Sequence, residues 1–194
     1  MRFVLLFITA ALVSFSPITG WGAEASPVIF SKGYKAISLT ASALAAGKEA
    51  RLDAAMPEPV RFLLKRGSQN TIALTAAYGT SEENLLATIP EDMQGFDEKG
   101  ELEEGFSIQI VVGDLNGDKV PELLVATGDD LAILTVAVFT YTPQGKNRFQ
   151  CTGLIVGQKN IHVEPDGTLT APFGSQGLFT EYVIASDGKP EEKK

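Results

Sequence analysis

Apolar and polar residues begin to alternate at Phe106: Phe106, Ile108, Ile110 and Val112 fall on one side, interleaved with Ser107, Gln109 and Val111, until Gly113 ends the run. Side chains along a strand point to opposite faces with a period of two, so the run predicts a β-strand. Further strands are predicted over 122–126, 131–142, 148–156, 160–164, 168–171 and 178–184. Gly128-Asp129-Asp130, Pro143-Gln144-Gly145 and Pro165-Asp166-Gly167 punctuate them as turns. Upstream the pattern is mixed. Short strands are predicted over 60–65 and 71–78, and the alanine-rich stretch 41–55 reads as helix. Thr80 and Glu83 form a Thr-x-x-Glu capping box before Leu85 and Leu86, and Pro90 closes the short helix that follows. Residues 91–105, rich in Asp, Glu and Gly, read as an exposed loop, and the charged residues 187–194 as a frayed, solvated tail.

These elements predict a mainly β protein with a minor α part (α+β), built on an antiparallel sheet or sandwich. Residues 26–186 form a single globular domain, with a mixed part over 26–104 and a β-rich part over 105–186. The segment before it has a different character. Arg2 precedes the apolar run 3–13, Ser14, Ser16, Pro17 and Gly20 then loosen the chain, and Ala23-Glu24-Ala25 places small residues at both cleavage subsites. Residues 1–25 therefore read as a secretory signal peptide, and the protein as exported, either periplasmic or secreted. The apolar run is too short for a spanning helix of about 20 residues, so no stable membrane insertion is expected after cleavage.

Charge and cysteine content narrow the partners. The net charge of −8 is unchanged by cleavage, which removes Arg2 and Glu24 together. An acidic chain without a Lys/Arg-rich stripe is not a nucleic-acid binder, because phosphate binding rests on clustered cations. Cys151 is the single cysteine, so no intramolecular disulfide forms, and stability must come from core burial and from any bound metal. Cys151 reads as a small buried residue on a strand.

One stretch carries the chemistry. In Asp114-Leu115-Asn116-Gly117-Asp118-Lys119-Val120-Pro121-Glu122, side-chain oxygens recur at loop positions 1, 3, 5 and 9, and the carbonyl of Val120 stands at position 7. Gly117 permits a sharp turn. Hard cations take such oxygen sets, and Ca²⁺ accepts about 6 to 8 of them. Asp114, Asn116, Asp118, Val120 and Glu122 are therefore the candidate ligands of a calcium ion. An EF-hand does not fit, since Lys119 stands at its glycine position and Val125 at its bidentate glutamate position. The alternative is an Asp/Asn/Gly turn that holds no metal.

At these residues the chain resembles the FG-GAP and VCBS repeat families, whose calcium loops join two strands of a β-propeller blade. Gly113, Asp114, Asn116, Gly117, Asp118, Pro121 and Leu123 match the pattern, flanked by the apolar runs 110–112 and 124–125. Lys119 replaces its second glycine, and Glu122 its ninth-position aspartate, so Glu122 would act directly or through a bridging water. The resemblance covers about residues 106–127. It implies one blade-like strand, calcium loop and strand. A propeller needs about 4 to 8 blades, and the motif occurs once, so a complete propeller is not expected.

Enzymatic signatures are sparse, and no catalytic or cofactor-binding residue stands out. His162 alternates with Ile161 and Val163 and should face solvent. There is no nucleophile elbow, dinucleotide fingerprint or phosphate loop, and one Cys with one His does not make a zinc set. Two functions remain: a calcium-binding structural or binding module with a protein or glycan partner, and a carboxylate-dependent hydrolase acting on an envelope or extracellular polymer.

Overall fold

A computed structural model of the chain describes residues 28–30, 34–66, 72–86, 106–129, 134–158 and 161–194. The elements in chain order are β1 (Val28–Phe30), β2 (Lys35–Thr40), α1 (Ala41–Ala45), β3 (Ala50–Ala55), β4 (Pro59–Arg66), β5 (Ile72–Tyr78), β6 (Ser81–Asn84), β7 (Phe106–Gly113), β8 (Glu122–Asp129), β9 (Leu134–Tyr141), β10 (Phe149–Gly157), β11 (Ile161–Val163), β12 (Leu169–Phe173), β13 (Leu178–Ile184) and β14 (Pro190–Glu192). The protein is mainly β, and its strands pair antiparallel except β1 with β11.

Three sheets account for these strands. The middle one has the order β10-β9-β8-β7-β2, and its neighbours run β3-β4-β5-β6 and β1-β11-β12-β13-β14. Both faces of the middle sheet are covered. On one face Ile108, Ile110, Leu123, Val125 and Phe139 join Phe62, Leu64 and Leu74 of the four-stranded sheet. On the other, Val111, Leu124, Ala126, Val136 and Val138 join Ile161, Val163, Leu169 and Ala171. A strand buried on both faces needs no polar alternation, which is why β9 reads as a nearly continuous apolar run, Leu-Thr-Val-Ala-Val-Phe-Thr-Tyr. The outer strands alternate instead: β4 buries Val60, Phe62 and Leu64 and exposes Pro59 and Arg61 between and beside them.

Several expectations are corrected. Helix occupies only the first five residues of 41–55, where the Thr40 hydroxyl caps the amide of Ala43 at 3.2 Å. Gly47 then turns the chain at φ 74, and β3 buries Leu52 and Ala54 against β4. The capping box at Thr80 and Glu83 makes no helix of residues 81–84, because β6 pairs with β5 there; the chain enters a 3-10 turn at Leu86, and 87–90 lie outside the described residues. The carboxylate of Glu83 accepts from Tyr78 Oη at 2.9 Å and from the amides of Arg148 and Phe149 at 3.0 and 2.8 Å. These tertiary donors replace the local amides that a capping box would satisfy. Residues 187–194 contain β14 rather than a frayed tail, since Val183 pairs with Glu191 and the amide of Lys193 donates to the carbonyl of Glu181 at 2.8 Å.

Gly128 and Asp129, expected in a turn, continue β8 instead, paired with Ser107 and Phe106 of β7; elsewhere the pattern reading stands. Strands span 59–66, 72–78, 106–113 and 178–184, the turns at 143–145 and 165–167 are present, and His162 is exposed between buried Ile161 and Val163. Cys151 lies on β10, half-buried, and burial pushes its thiol pKa up. The leader 1–25, Pro90 and the loop 91–105 fall outside the described residues. Among the described residues no helix is long and apolar enough to cross a membrane.

Candidate functional site

Strands β7 and β8 form a hairpin whose last pair is Gly113 with Glu122, so the hairpin's ladder fixes both ends of the acidic loop. Within the loop each short polar side chain accepts from a nearby amide. Asp114 spans it, taking the amide of Gly117 on Oδ1 at 2.8 Å and that of Lys119 on Oδ2 at 3.0 Å. Asn116 Oδ1 accepts from the amide of Asp118 at 3.0 Å, and Asp118 Oδ1 from the amide of Val120 at 2.7 Å. Asn116 Nδ2 donates to Asp118 Oδ2 at 3.3 Å. These short-range bonds are the local alternative to a ladder that Asp and Asn offer a backbone.

Two residues turn the loop through left-handed backbone, Gly117 at φ 80 and Lys119 at φ 73. Glycine visits this region freely. A side chain there costs about 1 to 2 kcal/mol, and Lys119 is the one non-glycine residue among those described that adopts it.

Glu122 differs from the other candidates. It is 3% exposed, and its Oε2 accepts from the amide of Leu115 at 2.8 Å. Burial pushes its carboxyl up to about 7; the Leu115 amide opposes the shift, and the nearby charges of Asp118 and Asp114 add to it. A buried carboxylate beside two others is the arrangement a cation relieves. Leu115, 4% exposed, anchors the loop in the core between the middle sheet and the β11–β14 layer. Val120 is half-buried and packs on the opposite core.

The loop thus gathers Asp114, Asn116 and Asp118 around its own amides and sets Glu122 beneath them. Among the described residues no three His, Cys, Asp or Glu side chains form a ready metal cage. The aspartate oxygens are aimed at the loop amides instead. A carboxylate offers about four lone-pair positions, so the two amide bonds of Asp114 leave acceptor capacity for a cation.

Residues outside the motif complete the surroundings. The ring of Tyr34 lies over Gly113, where a side chain would overlap it, and its hydroxyl donates to the carbonyl of Glu164 at 3.1 Å. Its pKa is raised by burial, then by the negative charges of Asp166, Asp114 and Glu122. Gly167, at φ 82, sits so close to the carbonyl of Leu115 that no Cβ fits. No spacing rule finds Tyr34. For Gly167 the Pro-Asp-Gly turn is legible in the sequence, its neighbour is not.

A second polar cluster joins the middle and four-stranded sheets. Arg148 pairs with Glu58 and donates to Tyr141 Oη at 3.1 Å, while Tyr141 itself donates to Glu58. The Arg148 guanidinium lies 4.5 Å above the Tyr78 ring, and Tyr78 reaches Glu83. An open depression of about 370 Å³ lined by Lys146, Asn147, Phe149, Gln150 and Cys151 lies alongside on β10. No protein-family model, no curated protein and no solved structure matches the chain.

Proposed function

We propose that this is an exported calcium-binding module in which the loop 114–122, of the FG-GAP and VCBS type, stiffens a blade-like strand connection. Its ligands are Asp114, Asn116, Asp118, the carbonyl of Val120 and Glu122, and recognition of a protein or glycan falls to another surface. The observation that carries this reading is Lys119 at φ 73. It holds left-handed backbone at the position where the resembling loops place glycine, a conformation that a lysine adopts only when the surrounding turn demands it. The acceptor set supports the same reading: three carboxylates and an amide within nine residues, one of the carboxylates buried, are hard oxygen donors suited to Ca²⁺. A bound cation would supply charge neutralisation and a rigid link between the ends of β7 and β8. Export rests on the leader pattern in residues 1–25.

Among the described residues, the hydrolase alternative would draw on Glu58 and Glu83, carboxylates gathered around Arg148 outside the loop. Glu58 is occupied by Arg148 and Tyr141, and Glu83 by two amides and Tyr78. These are the contacts of an inter-sheet clamp, and they favour the module.

Thermal unfolding in chelator and in calcium tests the proposal. At ten times the dissociation constant, binding to the folded state alone adds RT ln 11, about 1.4 kcal/mol, which raises Tm by roughly 3 to 6 °C for a domain of this size. An identical Tm in chelator and in millimolar calcium, with the protein folded in both, would make the metal-free turn the better account.

A further inference from the structure

The loop is held from outside as well as from within, and the outside contacts converge on one residue. Leu115 donates its amide to Glu122 at 2.8 Å, buries its side chain in the core shared with β11 and β12, and rests its carbonyl against Gly167. Asp114 and Asn116 flank it in sequence. Wherever Leu115 is held, two oxygen-bearing side chains and the Glu122 carboxylate are held with it. Tyr34 makes a second tie between the same two segments, its ring against Gly113 at the loop's start and its hydroxyl on Glu164 at the turn's start.

We infer that the turn 164–168 and Tyr34 are positioning elements for the loop, so that calcium binding at 114–122 and docking of the β11–β12 turn are coupled. This rests on the calcium reading above and adds a consequence to it. The cation then acts beyond one hairpin, fastening the layer that contains β11 to β14 onto the middle sheet. Coupling is reciprocal: whatever undocks the turn weakens calcium binding, and calcium slows undocking. The apparent dissociation constant rises in proportion as the docked fraction falls.

Gly167→Ala is the sharpest probe. It puts a methyl into the carbonyl of Leu115 and strains a left-handed backbone at φ 82. Gly174→Ala is the matched control, because Gly174 has φ 66 with nothing within 4 Å of the added methyl. Tyr34→Phe removes only the hydroxyl tie and keeps the ring. Calorimetric titration with calcium chloride should give roughly tenfold weaker binding for Gly167→Ala, about threefold weaker for Tyr34→Phe, and parental binding for Gly174→Ala. In the parent protein, calcium should slow hydrogen exchange at the amides of Gly167 and Thr168, which bond within the turn to Glu164 and Asp166. If Gly167→Ala does not fold, Tyr34→Phe and the exchange rates decide. A parent that binds no calcium overturns the calcium reading and the coupling with it. A parent that binds, with Gly167→Ala and Tyr34→Phe binding as tightly and exchange at 167–168 unmoved, overturns the coupling alone.

Discussion

The amide of Leu115 donates to the carboxylate of Glu122 across 2.8 Å, tying the second residue of the acidic loop to the first residue of β8. Through this bond a buried carboxylate is fixed beneath an exposed loop, and the two kinds of acid in the motif divide the work. Asp114 and Asp118 shape the turn through its amides, while Glu122 links the turn to the core.

That division ranks the effects of substitution on calcium binding. Asp114→Ala and Asp118→Ala each remove a short carboxylate and its amide bonds, so each should weaken binding at least tenfold, since hydrogen bonds to charged groups contribute about 1.5 to 3 kcal/mol. Glu122→Gln should cost less than Asp118→Asn. Lys119→Gly should tighten binding, because it releases backbone strain at φ 73 and removes a neighbouring positive charge. Titration of the set checks the order, which fails if Asp114→Ala binds like the parent and Lys119→Gly binds no better.

Glu122 should make the stability of the chelator-treated protein depend on pH. Its carboxyl is pushed up to about 7 in the folded state, against about 4.3 for an unfolded glutamate. Between these values the folded protein binds the proton that the unfolded chain has released, so stability falls as pH rises. The contribution is fully present below about 4.3 and is lost as pH climbs through about 7. Urea unfolding in chelator at pH 5, 6, 7 and 8 should show the decline. Glu122→Gln should flatten it, and millimolar calcium should shrink it by favouring the ionised form. A slope that Glu122→Gln leaves unaltered rules out this carboxyl as its source.

The coverage of the middle sheet on both faces is testable at adjacent positions. Leu123 and Leu124 are 0% and 1% exposed and face opposite cores. Leu123→Ala and Leu124→Ala should therefore each destabilise by about 2 to 5 kcal/mol. A sheet packed on one face only would tolerate one of the two, and a loss below about 1 kcal/mol at either would contradict the layered arrangement.

Glu83 satisfies the hydroxyl of Tyr78 and the amides of Arg148 and Phe149. Glu83→Ala leaves these donors without their acceptor and should cost about 2 to 3 kcal/mol, measured as a lowered urea midpoint at unchanged m-value. Glu82→Ala, at an exposed neighbour, should change stability by less than about 0.5 kcal/mol.

Much of the second half was legible in the sequence, and the reasons lie in particular strands. From Phe106 onward the period-two alternation and the turn residues at 143–145 and 165–167 mark strands on their own. The segment 131–142 likewise reads as a strand, while its cover on both faces comes only from the layers packed around it. Local signals misled where tertiary partners decided the outcome. Glu83 has the spacing of a helix cap, yet two of its three donors are the amides of Arg148 and Phe149, at the entry to β10 far along the chain. The alanines of 41–55 suit a helix by propensity, but Leu52 and Ala54 gain more by facing the core on a strand. The charges near the C-terminus suggested fraying, whereas Asp187 accepts from the amide of Lys189 at 3.2 Å and Gly188 turns at φ 80, which sets up the β13–β14 hairpin. The candidate site shows the same divide. Its oxygen spacing is a property of nine consecutive residues and can be read directly, while Tyr34 and Gly167 reach it only through the packing of layers.

The central claim, that the loop 114–122 holds a calcium ion, is tested most directly by isothermal titration of the chelator-treated protein with calcium chloride. The parent should bind one ion per chain saturably, and Asp114→Ala should lose this binding or weaken it at least tenfold while its circular dichroism matches the parent's. An absence of saturable heat in the folded parent, or binding that survives unchanged in Asp114→Ala, would contradict it.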